Sequence, residues 1–250
     1  MLDLEVIGQG ATTMIYHDGE KAVKLYVDTP ANEAENEAAL QRFAFNAGLP
    51  VPAVFGVRKL NDTTTALDMA YIDGKPLMWP QMDKEERRSA IHVLADLQCE
   101  IHKVRTNGFP KQADRFSWKI EHTPHLDDEL KNQLLVDLTR LGTGTECLCH
   151  GDFHPLNILF DGSKHWIIDW VDATAGNPLA DACRTYLIFK QHMARSSGIY
   201  LRAFCEIAGV KQDDVLAWLP VVASARLDEN MDDKSRRWLL DLIKEAEGLE

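Results

Sequence analysis

The sequence predicts an α+β chain in two parts: a small antiparallel-sheet lobe with one helix over residues 1–73, and a larger, mainly helical lobe over residues 74–250. Three observations predict it. The apolar residues recur at a strand-like period of two before residue 73 and at a helical period after it. The change falls on Asp73-Gly74-Lys75-Pro76, a run with the composition of a connector. A single island of strand character then interrupts the helical half around residues 158–168.

Taken in order, strands are expected over residues 4–8, 14–17 and 21–26, the last two joined by Asp18-Gly19, a dipeptide suited to a tight hairpin turn. A helix follows over residues 33–47, with Thr29 as cap, Pro30 at its first position and Gly48 as its stop. Two further strands, over 54–59 and 65–71, complete the first lobe. From Lys84 onward Ile91, Leu94, Ala95, Gln98 and His102 fall on one face of a helix. The strand island comprises residues 158–160 and 165–168, linked by the turn-forming Asp161-Gly162-Ser163-Lys164. A helix over residues 182–189 has Asp181 as its local cap candidate.

The composition excludes several classes of function. The chain has 250 residues, 45% of them hydrophobic, which is enough apolar material to close a core. Its 27 basic against 39 acidic residues leave a net charge of −12, which repels phosphate backbones and anionic membranes alike. Neither nucleic acid nor membrane is therefore expected as a partner. Five cysteines, Cys99, Cys147, Cys149, Cys183 and Cys205, without a CxxC pair argue for free thiols in a reducing cytoplasm. The N-terminal residues show neither the basic nor the apolar region of a signal peptide, and no apolar run reaches membrane-spanning length.

The sharpest local signal is His150-Gly151-Asp152-Phe153-His154-Pro155-Leu156-Asn157, followed by Ile167-Ile168-Asp169-Trp170. Asp169 comes 17 residues after Asp152, about the length of one strand out and one strand back. Two carboxylates and a carboxamide are hard oxygen donors, the set that Mg²⁺ takes together with water and substrate phosphates. The alternative is a pair of loop carboxylates that cap local amides.

These residues resemble the pattern HGDxxxxN followed by IDW of the aminoglycoside phosphotransferases and their choline-kinase-like relatives, small-molecule kinases with a protein-kinase-like fold. The resemblance implies that Asp152 is the catalytic base or orienter of an acceptor hydroxyl, and that Asn157 and Asp169 hold Mg²⁺. It extends into the first lobe. Gly8-Gln9-Gly10-Ala11-Thr12-Thr13 lies between two strands, where Gly8, Gly10 and Thr12 would approach the phosphates; by itself a Gly-x-Gly in a hairpin is more often a plain turn. Ala22-Val23-Lys24 follows on the next strand, with Ala22 and Lys24 on one face. The family's lysine reaches the α- and β-phosphates, so Lys24 takes that place and Ala22 lies against the base. The glutamate that pairs with the lysine corresponds to Glu37, with Glu33 one turn earlier as the reserve. Met69 would sit behind the base, and main-chain groups near Ala70 and Ile72 would bond it. Ala70 stands where many relatives carry an acid, which leaves ATP and GTP both open as co-substrate.

By the same resemblance Asp181 braces the catalytic loop, and His102 is a packed structural residue. Asn177 departs from the aspartate common there, and Asp172 lies behind the metal ligands or on the surface. The acceptor is a small hydroxylated molecule. The acids of the C-terminal part, Glu206, Asp213, Asp214, Asp228, Glu229, Asp232 and Asp233, read either as a floor for a cationic amine or amino-sugar or as solvated helix ends. Trp170, Trp218 and Trp238 read either as stacking surfaces or as core. A protein kinase is the nearest rival, disfavoured by Gly151 and Trp170 and by the lack of an Ala-Pro-Glu segment. A catalytically silent nucleotide-binding scaffold of the same fold is the other. Oligomeric state is not legible.

Overall fold

The computed structural model of the chain describes residues 5–9, 13–106, 108–144, 146–229 and 231–248. In chain order the elements are β1 (Glu5–Gln9), β2 (Thr13–His17), β3 (Lys21–Val27), α1 (Ala31–Asn46), β4 (Val54–Lys59), β5 (Thr64–Ala70) and β6 (Lys75–Pro76). Next come α2 (Lys84–His102), α3 (Gln112–His122), α4 (Asp128–Leu141), β7 (Cys147–Cys149), a 3₁₀ turn (Pro155–Asn157), β8 (Ile158–Phe160), β9 (His165–Ile167) and β10 (Thr174–Gly176). The chain continues through α5 (Pro178–His192), α6 (Ala194–Ala208), α7 (Gln212–Leu216), α8 (Leu219–Ser224) and α9 (Asp233–Glu247). They fall into two units: Met1–Pro80 with Pro155–Asp172, and Gln81–His154 with Ala173–Glu250.

The first unit is built on a five-stranded antiparallel sheet in the order β1-β2-β3-β5-β4. Alternation along β3 sends Ala22, Lys24 and Tyr26 to the face that α1 covers. Ala22 and Tyr26 pack there with Ala34 and Ala38 of α1 and with Leu67 and Met69 of β5. Small residues at 34 and 38 let the helix lie close on the strands. Pro30 itself occupies the cap position with extended backbone and no capping side chain, so Thr29 falls one residue too early to cap. Its hydroxyl is instead buried without a partner among the described residues. Gly48, at φ +87°, ends the helix as its sequence predicts.

The β8–β9 hairpin belongs to this unit rather than to the helical one. Asp161 Oδ1 accepts the backbone N–H groups of Ser163 (2.8 Å) and Lys164 (2.9 Å) and closes its turn. β6 pairs with β8, so the expected connector is in part a strand, and the Ile167 N–H donates to the Pro50 carbonyl at 2.8 Å. Gly74 passes so close that a Cβ there would lie 3.1 Å from the Phe160 carbonyl.

In the second unit α2 is closed at its start by a capping box between Asp83 and Glu86. It buries Ile91, Leu94, Ala95, Gln98 and Cys99 and packs on α6, which in turn packs on α5; α8 packs on α9. β7 and β10 pair antiparallel, Thr174 opposite Cys149 and Gly176 opposite Cys147. Both are three residues long and, unlike β8 and β9, are not joined by a turn-forming run, so nothing in the local sequence marks them. A Cβ at Gly176 would meet the Gln112 side chain at 2.5 Å, and Gln112 Oε1 accepts the Asn177 N–H. Gly176→Ala is therefore expected to destabilise the chain by about 1–3 kcal/mol in chemical denaturation; an unchanged midpoint would contradict this packing.

α5 begins at Pro178, capped by the Asn177 side chain, which accepts from Leu179 N at 2.9 Å. This is four residues earlier than expected, and Asp181 is consequently a buried residue of the helix and not its cap. Trp170 and Trp218 are core residues, and all five cysteines are free and buried. Among the described residues, no helix is long and apolar enough to cross a membrane.

Candidate active site

In the first unit β3 and α1 bring Lys24 onto Glu37. Lys24 Nζ donates to Glu37 Oε1 at 2.9 Å and Oε2 at 2.8 Å, and to Asp169 Oδ1 at 2.8 Å. The hydroxyl of Tyr26 also donates to Glu37. Glu33 is only half-buried, so the helix turns Glu37 and not Glu33 onto the lysine. Burial would lower the Lys24 ammonium, but the charges of Glu37 and Asp169 outweigh it and hold it above its ordinary value. For Glu37 burial dominates and pushes the carboxyl up against the pull of Lys24. Lys24 is thus a fixed, charged donor poised between two carboxylates.

The β8–β9 hairpin sets Asp169 and Asn157 at its open end. Ile158 pairs with Ile167, and the Ile168 N–H donates to the Asn157 carbonyl at 3.0 Å, so Asp169 follows directly on the residue opposite Asn157. Asp169 stands at φ +65°, a region that few non-glycine residues enter and that aspartate tolerates better than most. Its side chain is 40% exposed and only Oδ1 engages Lys24, while Asn157 is buried. A carboxylate oxygen and a carboxamide oxygen at one hairpin end are hard donors that leave room for water and phosphate ligands, so the residues present fit Mg²⁺.

The remaining nucleotide candidates lie on the sheet. Ala22 pairs with Met69 across β3 and β5, and both are buried. Gly8 pairs with Ile15, against whose side chain a Cβ would come to 3.3 Å. Gly10 and Thr12 lie outside the described residues. The Ala70 N–H donates to the Ala53 carbonyl at 2.8 Å, and Ile72 follows half-buried beyond the end of β5.

The helical unit builds the loop around Asp152. Asp181, on the first turn of α5, accepts the Gly151 N–H at 2.8 Å and the His150 N–H at 3.4 Å, and it bonds His102 Nε2 at 2.9 Å and Gln98 at 3.0 Å. Burial would raise its carboxyl, yet the His102, Gln98 and Gly151 bonds keep it below the usual carboxylate range. Gly151 sits at φ +82°, where a side chain would be strained. His102 and Cys149 stand with Asp181 as a compact trio, but Asp181 is saturated by these hydrogen bonds.

Asp152 is held on both oxygens: Arg184 Nη2 lies 3.1 Å from Oδ1, and His154 Nε2 lies 3.3 Å from Oδ2. Burial would raise the Asp152 carboxyl, but the His154 hydrogen bond and the charges of Arg184, His154 and His150 hold it well below the usual range. Local sequence singles out neither Arg184 nor Arg226 as a partner of this loop. One signal for Arg184 was available: it follows Asp181 by three residues, which puts both on one face of α5.

The model of the phosphotransferase enzyme family matches residues 3–219. The aminoglycoside 3'-phosphotransferase of Streptomyces ribosidificus is 28% identical over 199 residues, 69% of this chain and 74% of that protein. A thermostable mutant of aminoglycoside phosphotransferase APH(4)-Ia, solved as a ternary complex with ADP and hygromycin B, superposes with a TM-score of 0.73 at 18% identity, covering 98% of this chain and 92% of that one. The structure of the GDP and kanamycin complex of APH(2")-IIia superposes with a TM-score of 0.67 at 17% identity, covering 98% and 93%. The fold is protein-kinase-like, and the chain belongs to the phosphotransferase enzyme family, an enzyme of phosphoryl transfer to small molecules.

Proposed function

We propose that the chain transfers the γ-phosphoryl group of Mg²⁺-bound ATP or GTP to a hydroxyl of a small molecule. The observation that carries this reading is Lys24, buried and bonded at once to Glu37 and to Asp169. A lysine so fixed is a rigid point charge for the α- and β-phosphates. Gly8, Gly10 and Thr12 would line the phosphates from the β1–β2 turn. Ala22 and Met69 would flank the base, and the main chain at Ala70 and Ile72 would bond it. Similar folds solved with ADP and with GDP leave both nucleotides in play.

Asn157 and Asp169 would hold Mg²⁺, which when bound neutralises charge on the phosphoryl oxygens. Asp152 orients the acceptor hydroxyl and takes its proton. A bond forms between that oxygen and the γ-phosphorus, the bond from γ-phosphorus to the β,γ-bridging oxygen breaks, and the nucleoside diphosphate leaves. Catalysis in this scheme comes from positioning and charge rather than from a covalent protein intermediate.

The test is a thermal-shift titration of the wild type and Asp169→Asn with ATP and GTP, with and without Mg²⁺. A Mg²⁺-dependent rise in melting temperature, about 2.7 kcal/mol of added stability at a hundredfold excess over Kd, is expected for the wild type and not for the variant. No rise with either nucleotide would favour a silent scaffold over an enzyme.

A further inference from the structure

The groove between α2 and α6, both in the helical unit, is lined by basic side chains that the phosphotransfer scheme does not use. Lys84, Arg88 and His92 come from α2 at four-residue spacing, which carries them on one face of the helix, and Arg202 comes from α6. All four are exposed, and among the described residues none of their side chains makes a hydrogen bond or an ion pair. Asp83 and Glu86, close by in sequence, are bound into the capping box and accept backbone N–H groups at the start of α2. Glu206 is the one carboxylate among the described residues of the lining, and although it stands one turn from Arg202 the two form no ion pair. Three permanent cations and an imidazole thus face one carboxylate, in a chain whose net charge is −12. Like charges four residues apart on a helix repel, so Lys84 beside Arg88 costs α2 stability that an anion between them would return.

Cations scattered on a surface are solvated one by one; these converge on a cavity of about 250 Å³. Its walls are held together, because the hydroxyl of Tyr200, next to the lining residue Ile199, donates to Gln98 Oε1 of α2 at 2.6 Å. The Arg202 guanidinium lies back along α6 over Gly198, its Nη1 3.5 Å from where a Cβ would stand. Half-buried Ile199 and buried Ala203 add an apolar wall. The volume falls below the range of about 300–1,000 Å³ typical of sites for drug-sized ligands, so a phosphate on a short carbon chain fits and a nucleotide does not. At physiological salt, exposed charges farther off than about 8 Å are largely screened, and the lining rather than the net charge of the chain sets the field in the groove.

We propose that the α2–α6 groove binds a small phosphate monoester of a polyol or sugar. Arg88 and Arg202 fork onto the phosphate oxygens, Lys84 adds a point charge, and His92 donates a ring N–H. The carbon chain lies against Ile199 and Ala203, and Glu206 accepts a hydroxyl. A carboxylate repels a bare phosphate, and it contributes to binding only when the ligand brings a donor to it. The proposal stands apart from the phosphotransferase reading, since none of these residues takes part in that scheme.

Isothermal titration calorimetry of the full chain without nucleotide tests it with glycerol 3-phosphate, ribose 5-phosphate, inorganic phosphate and glycerol. At least one of the two esters is expected to bind with a Kd below about 1 mM and about fivefold or more tightly than inorganic phosphate, and glycerol should give no binding. Arg88→Gln combined with Arg202→Gln, its fold checked by the melting curve, should weaken that ester about tenfold or more. Lys84→Gln, which leaves both arginines in place, should weaken it about threefold. Arg42→Gln combined with Lys234→Gln makes the same change in net charge at exposed positions of α1 and α9 and should leave the Kd unmoved. The proposal is overturned if neither ester binds below about 1 mM, or if inorganic phosphate or glycerol binds as tightly as the better ester. It is equally overturned if the groove variants leave the Kd of the ester unchanged, or if the α1 and α9 pair weakens it as much as they do.

Discussion

Asp152→Asn is expected to lower turnover about a thousandfold or more while leaving the nucleotide-dependent rise in melting temperature in place. The two readouts separate because Asp152 belongs to the helical unit, while Lys24, Glu37, Asn157 and Asp169 all belong to the sheet-bearing one. Arg184 keeps Glu229 as a partner when Asp152 loses its charge, so the substitution leaves no buried cation alone. Asp152→Ala, which also removes the side-chain hydrogen bonds, should behave the same way. Equal loss of turnover and nucleotide binding in a folded variant would contradict the assigned role. Because Arg184 and the two histidines hold the carboxyl below its ordinary value of 3.8, Asp152 should add no acid limb to the pH profile of the wild type above about pH 4. In the proposed reaction it would accordingly be a weak base whose main work is orientation, which suits a loose phosphoryl transition state that asks little of a base.

Glu37→Ala should destabilise the fold by about 3 kcal/mol, the lower end of what breaking a buried ion pair costs. The lower end is expected because Lys24 retains Asp169 as a partner. Tyr26 loses the acceptor of its hydroxyl in the same substitution. Urea unfolding would measure the loss through a lower midpoint at unchanged slope. The double variant Lys24→Met with Glu37→Leu should recover most of that stability, since an apolar pair of similar volume needs no desolvation of charge. It should nonetheless show no nucleotide-dependent shift. Stability restored together with nucleotide binding would mean that Lys24 serves the fold and not the phosphates.

Much of this site was legible because its chemistry is carried by residues at short, fixed spacings. Asp152 and Asn157 share one loop, and a hairpin whose turn residues are visible returns the chain to Asp169. Lys24 is placed by strand alternation, which needs only a period of two. Glu37 over Glu33 was a matter of matching a pattern, and the packing of α1 through Ala34 and Ala38 explains it: those two alanines set which face of the helix meets β3.

The partners of Asp152 were not legible in the same way. Arg184, Glu229 and Arg226 come from α5 and from the segment after α8, and nothing in local sequence distinguishes an arginine that will be buried on a carboxylate from one that will be solvated. The same holds for Thr29 and Asp181, each a plausible cap by residue type. Pro30 took the first position and Asn177 the second, and Asp181 was thereby carried into the core to bond the backbone of the loop that carries Asp152. By number alone the C-terminal acids read either as a floor for a cation or as solvated helix ends; in the structure Glu229 is ion-paired with Arg184 and Arg226, Asp233 with Arg236, and Asp214 and Asp232 accept backbone N–H groups. By itself, then, the sequence determined the fold class and picked out Lys24, Asn157 and Asp169 as the residues proposed for nucleotide and metal, because period and spacing are local properties of the chain. Which charges neutralise one another, as Arg184 does between Asp152 and Glu229, only the tertiary structure decided, because electrostatic pairing depends on distance and burial between residues far apart in sequence.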